Sequence, residues 1–130
     1  MTSLQAAGLW VGLNALFLIY ISARVGLVRT KLKVNLGDGE QPDMVKAIRT
    51  QGNYIEYAPA ACGGLVLLAL LSAPVIAIHI LGGMFLFGRI AHLMGLGLGV
   101  WPQGRFVGTI FTMLTLLATG LGLIYLAVMA

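Results

Sequence analysis

The chain has 130 residues, of which 59% are hydrophobic and only 9% are charged. A soluble domain carries roughly 25% charged residues, so this composition excludes a water-soluble globule, a disordered segment and a nucleic-acid-binding domain. The net charge of +4 comes from a few clustered cations, and the one cysteine, Cys62, rules out an intrachain disulfide. An integral membrane protein of one compact domain remains.

A bilayer-crossing helix needs about 20 mostly apolar residues. The chain offers such stretches at about Leu4 to Val28, Tyr54 to Leu71, Val75 to Gly97 and Phe106 to Met129. The first has no charge before Arg24. It lacks a basic leader region and is longer than the core of a signal peptide, so it reads as a span. A hydrophilic loop follows from Arg29 to Gln41, with a turn signal at Gly37-Asp38-Gly39. Pro42 suits the first turn of the next helix, which extends the second span back toward the loop. That span is interrupted only by Glu56 in its apolar part. Ser72-Ala73-Pro74 makes a short second link. The third span holds Arg89 and His92 in its second half, and a short segment around Gly99 to Gly104 leads to Arg105 and the uncharged fourth span. Runs this long without polar alternation predict helices, not strands. With their polar extensions the spans cover residues 4–28, 42–71, 75–97 and 105–129. Short links predict antiparallel neighbours, hence an all-α, up-down-up-down bundle of four helices.

The cations are one-sided. Arg24, Arg29, Lys31, Lys33, Lys46 and Arg49 flank the first loop, and Arg105 lies beside the third. The positive-inside rule then places both loops in the cytoplasm and both termini outside. Contact with lipid headgroups is the simplest use of the loop lysines.

Ionisable groups at bilayer depth are costly and face a bundle interior or a wet cavity. On the second helix, spacings of four and three put Arg49, Asn53 and Glu56 on one stripe, with Lys46 and Tyr57 at its edge and Gln51 pointing nearly the other way. On the third helix Arg89 and His92 share a face. An ion pair of Glu56 with Arg89 would account for one acid and one base only. The remaining cations around an apolar cavity suit an anionic ligand, because guanidinium forks match carboxylates.

The segment Arg49-Thr50-Gln51-Gly52-Asn53-Tyr54-Ile55-Glu56-Tyr57-Ala58-Pro59 resembles the second-helix signature of the MAPEG family, the membrane-associated proteins of eicosanoid and glutathione metabolism. Gly88-Arg89-Ile90-Ala91-His92 resembles its third-helix motif. The resemblance covers most of the chain, including the four-span layout. It implies a homotrimer that binds glutathione as co-substrate between subunits near the cytoplasmic side. Arg49, Asn53 and Glu56 would hold the tripeptide, with Gln51, Tyr57, Arg89 and His92 lining the site. Arg24 and Arg29 are both candidates for a first-helix arginine. Arg105 matches the arginine beside the glutathione sulfur and is the candidate catalytic residue. The sequence departs from the family at two places. Leu96 stands where several active members carry tyrosine, and Phe106 stands where prostaglandin-forming members carry serine.

The implied chemistry is nucleophilic attack by a glutathione thiolate. A guanidinium such as that of Arg105 favours the thiolate, each pKa unit being about 1.4 kcal/mol. The second substrate would be an apolar electrophile or a lipid hydroperoxide arriving from the bilayer. Two other functions compete. One is a catalytically silent glutathione- or lipid-binding member of the same fold. The other is a small four-span exporter, which needs an embedded acid that the first span, with Asn14 alone, does not supply. No metal is expected. His79 and His92 lie thirteen residues apart, which is about 20 Å along one helix. His79 and Cys62 read as structural residues. The spacings Gly8-x-x-x-Gly12 and Gly104-x-x-x-Gly108 read as helix packing.

Overall fold

Thr2 starts the first helix. Its hydroxyl accepts from the Gln5 N–H at 3.1 Å, and its own N–H donates to Gln5 Oε1 at 2.9 Å, a reciprocal cap that satisfies two end donors. Helix α1 runs Ser3–Leu32 in the computed structural model, which describes residues 1–129. It continues one turn beyond the expected loop boundary at Arg29. Arg29 and Lys31 complement the negative end of the helix dipole, and Lys33 closes it in the left-handed region with its N–H on the Arg29 carbonyl. The loop is braced by Arg29 Nη1, which donates to the Gly37 carbonyl at 2.6 Å.

Helix α2, Pro42–Leu70, begins at the proline that announces it. Pro59 lies inside it and has no N–H to give the Ile55 carbonyl. The chain reverses at Ser72, which has φ 65°. Ser3 Oγ donates to the Ala73 carbonyl at 2.6 Å, clipping the start of α1 to this link. Helix α3, Val75–His92, passes directly into a π-helical turn, Leu93–Gly97, and α4 spans Gly104–Met129. All four helices are long and apolar enough to cross a membrane, and no strand occurs among the described residues.

Helix α1 packs chiefly on α2, and α3 on α4. Helices α2 and α3 meet across the middle, while α1 and α4 make no contact among the described residues. Ala6, Ala7, Leu65, Leu68, Ile78 and Leu81 form the core at the end with the termini. Ile21, Tyr54, Ala61, Phe85 and Leu93 form it toward the basic end. The outer faces are apolar as well: Ile19 is 66% exposed and Leu121 is 60% exposed. Such faces suit hydrocarbon, where no water has to be displaced to accommodate them.

Glycine brings α3 and α4 together. A side chain at Gly108 would meet the Gly88 carbonyl and His92. One at Gly104 would meet the Ala91 carbonyl, and one at Gly95 would meet the backbone of Arg105. The expected packing role of Gly104 and Gly108 is thus met. Gly8 and Gly12 differ: both are exposed, with nothing within 4 Å of a would-be side chain. Their face of α1 is unused within the chain.

Candidate functional site

The polar residues of the spans are layered along the bundle. Nearest the termini, Trp10 Nε1 donates to His79 Nδ1 at 3.1 Å, and the indole lies over Gly82. His79 is therefore a structural partner, as its position suggests. In the next layer the buried Tyr54 hydroxyl lies 2.9 Å from Asn14 Oδ1 and 3.1 Å from the Asn14 carbonyl, while Asn14 Nδ2 donates to the Trp10 carbonyl at 2.8 Å. This bond ties α1 to α2 in the apolar interior, where an unpaired hydroxyl would be costly. An apolar groove of about 280 Å³ opens beside it, lined among others by Leu18, Pro59 and Cys62.

Arg89 dominates the third layer. It is 2% exposed. Its Nη2 donates to Asn53 Oδ1 at 2.6 Å, its Nη1 donates to Thr112 Oγ1 at 3.4 Å, and its guanidinium carbon lies 5.7 Å from the centre of the Tyr57 ring. Three helices thus converge on one cation. The bonds of Arg89 go to neutral oxygens, and Glu56 lies exposed on α2, so the simple Glu56–Arg89 pairing does not account for this arginine. Arg89 Nε has no hydrogen-bond partner. His92, one turn on, is 3% exposed, its backbone and Cβ closely approached by Gly108, and its Nδ1 is likewise unpartnered.

The candidate residues separate into two groups. Asn53, Tyr57 and Arg89 are brought together between α2 and α3, with His92 buried one turn further along α3. Arg49, Glu56 and Arg105 are exposed on the outside. On α2, Arg49 and Glu56 flank the half-buried Asn53 at spacings of four and three, so one edge of the helix presents a cation, an amide and an acid in order. Arg105 opens α4, seated by the contacts of Gly95 and Gly104. The others turn elsewhere. Gln51 Nε2 donates to Ser22 Oγ on α1 at 2.9 Å, Arg24 Nη2 donates to the Gly97 carbonyl at 3.3 Å, and Arg29 braces its loop.

Thr112 is the residue of this cluster that charge patterning alone misses, because it is uncharged and no charged residue follows Arg105 on its helix. Its signal lies in spacing: Gly104, Gly108, Thr112, Thr115 and Thr119 recur every three or four residues and are all buried. Small and hydroxyl residues on one stripe mark the helix face that meets other helices. Thr112 Oγ1 donates to the Gly108 carbonyl at 2.8 Å, which leaves its lone pair for Arg89. Ser22 and the Asn14–Tyr54 pair are missed because they too are uncharged.

The model of the MAPEG family matches residues 7–125. The chain is also similar to the Inner membrane protein YecN of Escherichia coli (strain K12). The two are 34% identical over 91 residues, which is 70% of this chain and 70% of that protein. The protein of the same name from Escherichia coli O6:H1 matches to the same extent. No solved structure matches the chain.

Proposed function

The chain belongs to the MAPEG family, and from that premise we propose that it is a glutathione-dependent transferase or peroxidase of a bacterial inner membrane. Its basic end faces the cytoplasm, and glutathione binds where copies of the chain meet in a homotrimer. The observation that carries this reading is the 2.6 Å bond from buried Arg89 to Asn53, set between exposed Arg49 and Glu56. With its oxygen held by Arg89, the Asn53 amide presents its NH2 outward as a donor. Arg49 clamps a carboxylate of the tripeptide, Asn53 donates to a carboxylate or carbonyl, and Glu56 accepts from the ammonium group. Arg89 acts through Asn53 rather than on the ligand. Because Arg49, Glu56 and Arg105 lie on the outside of one chain, their pocket needs a second wall, which the neighbouring subunit supplies.

Arg105 stabilises the glutathione thiolate electrostatically. In the transferase reaction the sulfur lone pair forms a carbon–sulfur bond as the leaving group departs with its bonding pair. In the peroxidase reaction two glutathiones become one disulfide while a lipid hydroperoxide becomes an alcohol and water. The apolar substrate reaches the sulfur along the lipid-facing helix surfaces.

Calorimetric titration of glutathione into the detergent-purified protein, with thiolate absorbance read on the same sample, tests this reading. Saturable binding with a thiolate signal is expected, and Arg105→Ala should keep the binding and lose the signal. Absence of binding at millimolar glutathione would sink the proposal. A second reading rests on Leu96, half-buried in the π-helical turn, and on Phe106, 70% exposed beside Arg105. Neither can donate a hydrogen bond to a thiolate. Binding with no thiolate signal in the natural protein would identify a catalytically silent glutathione-binding member.

A further inference from the structure

Trp10 of α1 and His79 of α3 stand 69 positions apart, and their side chains tie the two helices together. The indole sits in a notch on α3. A side chain at Gly82 would collide with its five-membered ring, and one at Gly83 would touch its six-membered ring. Held there, the indole aims its one N–H at His79, three residues before Gly82, with the two rings crossing at 74°. The accepting atom is Nδ1, so the neutral imidazole keeps its proton on Nε2. Imidazole is the side chain that takes up a proton between about pH 8 and pH 5. Imidazolium donates from both nitrogens and accepts nothing. A protonated His79 would therefore turn one N–H against another and set a cation in an apolar layer.

The helices packed against α3 offer that cation no acid. In this half of the bundle α1 brings the Met1 amine, α2 brings Cys62 and α4 brings Tyr125. Neither a thiol nor a phenol is charged below about pH 7. Tyr54 is a further phenol, engaged with Asn14. Glu56 is exposed on α2, about 9 Å before Cys62 along that helix. We propose that Trp10 and His79 form a proton-operated latch between α1 and α3, closed while His79 is neutral and opened by acid. Because the closed tie accepts only the neutral ring, its stabilising effect is present at neutral pH and lost as the pH falls. The opening is local. The bonds of Ser3 to Ala73 and of Asn14 to Tyr54 bracket the latch and use no group that titrates in this range. His79 is half-buried and is the fifth residue of α3, so it lies about 6 Å from the start of the helix, within reach of water at the bilayer surface. That the protons come from outside the membrane rests on the orientation proposed above; the latch itself does not.

Nuclear magnetic resonance of the detergent-solubilised protein, labelled with nitrogen-15 at tryptophan, tests the latch. The two indole N–H signals are assigned with Trp101→Phe. On titration from about pH 7.5 to about pH 5, the Trp10 signal should move upfield as one proton binds. Its exchange with solvent, corrected for the intrinsic effect of pH, should quicken about fivefold, the factor one hydrogen bond supports. His79→Gln keeps an acceptor in its amide oxygen and has nothing to titrate. Its Trp10 signal should stay constant over the same range. Thermal melts give a second readout: the natural protein should lose stability relative to His79→Gln as the pH falls, a comparison that removes the effect of the other histidine. A Trp10 signal indifferent to pH in the natural protein would overturn the proposal, and that result needs no variant to fold. An equal titration in His79→Gln would overturn it as well.

Discussion

A guanidinium buried at bilayer depth has to be paired or well hydrogen-bonded. Arg89 meets this demand with two neutral oxygens and an aromatic face, and the fork geometry explains why an arginine stands there. Lysine would keep the charge but not the planar fork that reaches α2 and α4 at once. Arg89→Lys should therefore weaken glutathione binding about tenfold, roughly 1.4 kcal/mol, through a disordered Asn53 amide. The thiolate signal per bound glutathione should stay unchanged. Unaltered affinity in that calorimetric titration would detach Arg89 from the site. Tyr54→Phe makes a contrasting case. It removes the hydroxyl bonded to Asn14 and should cost about 1 kcal/mol of stability, seen as a lower melting temperature by circular dichroism, with glutathione affinity untouched. The sequence makes Asn53 and Arg89 visible because polar residues stand out in apolar helices. It does not reveal that they bond each other, since thirty-six positions separate them and only the crossing of α2 and α3 closes that distance.

At the scale of the helices, boundaries follow local chemistry. Pro42 and the Ser72-Ala73-Pro74 link announce their ends, and in the structure Thr2 caps the start of α1. The end of α1 is harder to read, because Arg29 and Lys31 look like loop residues and yet serve as last-turn cations. The π-helical turn has no reliable sequence mark. It arises where Gly95 lets the backbone of Arg105 approach closely, a tertiary contact. The two glycine pairs sharpen the point, since equal spacing hides opposite environments. Gly108→Ala would push a methyl into the Gly88 carbonyl and His92 and should destabilise the bundle by about 1–3 kcal/mol. Gly12→Ala meets nothing within 4 Å and should leave the stability of the isolated chain unchanged or raise it by about 0.5–1 kcal/mol. Thermal melting of both variants in detergent checks the pair, and equal losses would contradict the packing described.

The whole molecule has an apolar exterior, a polar ladder through its interior and a basic end. Composition and run length make this legible, because a chain with 9% charge has few other ways to fold. The division of the candidate site residues between inside and outside is not legible, since helical spacing fixes which residues share a face but not what that face meets. Orientation is open to a direct check. In a Cys62→Ala background, a cysteine at Asp38 should resist a membrane-impermeant maleimide in intact cells and react after lysis, while one at Leu71 should react in both. The reverse pattern would invert the topology. The positions of the two tryptophans have a practical consequence. Trp10 lies in the termini-side layer against His79, whereas Trp101 follows the π-helical turn, its backbone N–H donating to the Met94 carbonyl and its ring against Gly104. Each end of the bundle thus carries its own fluorophore. With Trp10→Phe and Trp101→Phe as complementary probes, emission can tell which end loosens first on heating and whether a ligand is felt at one end or both.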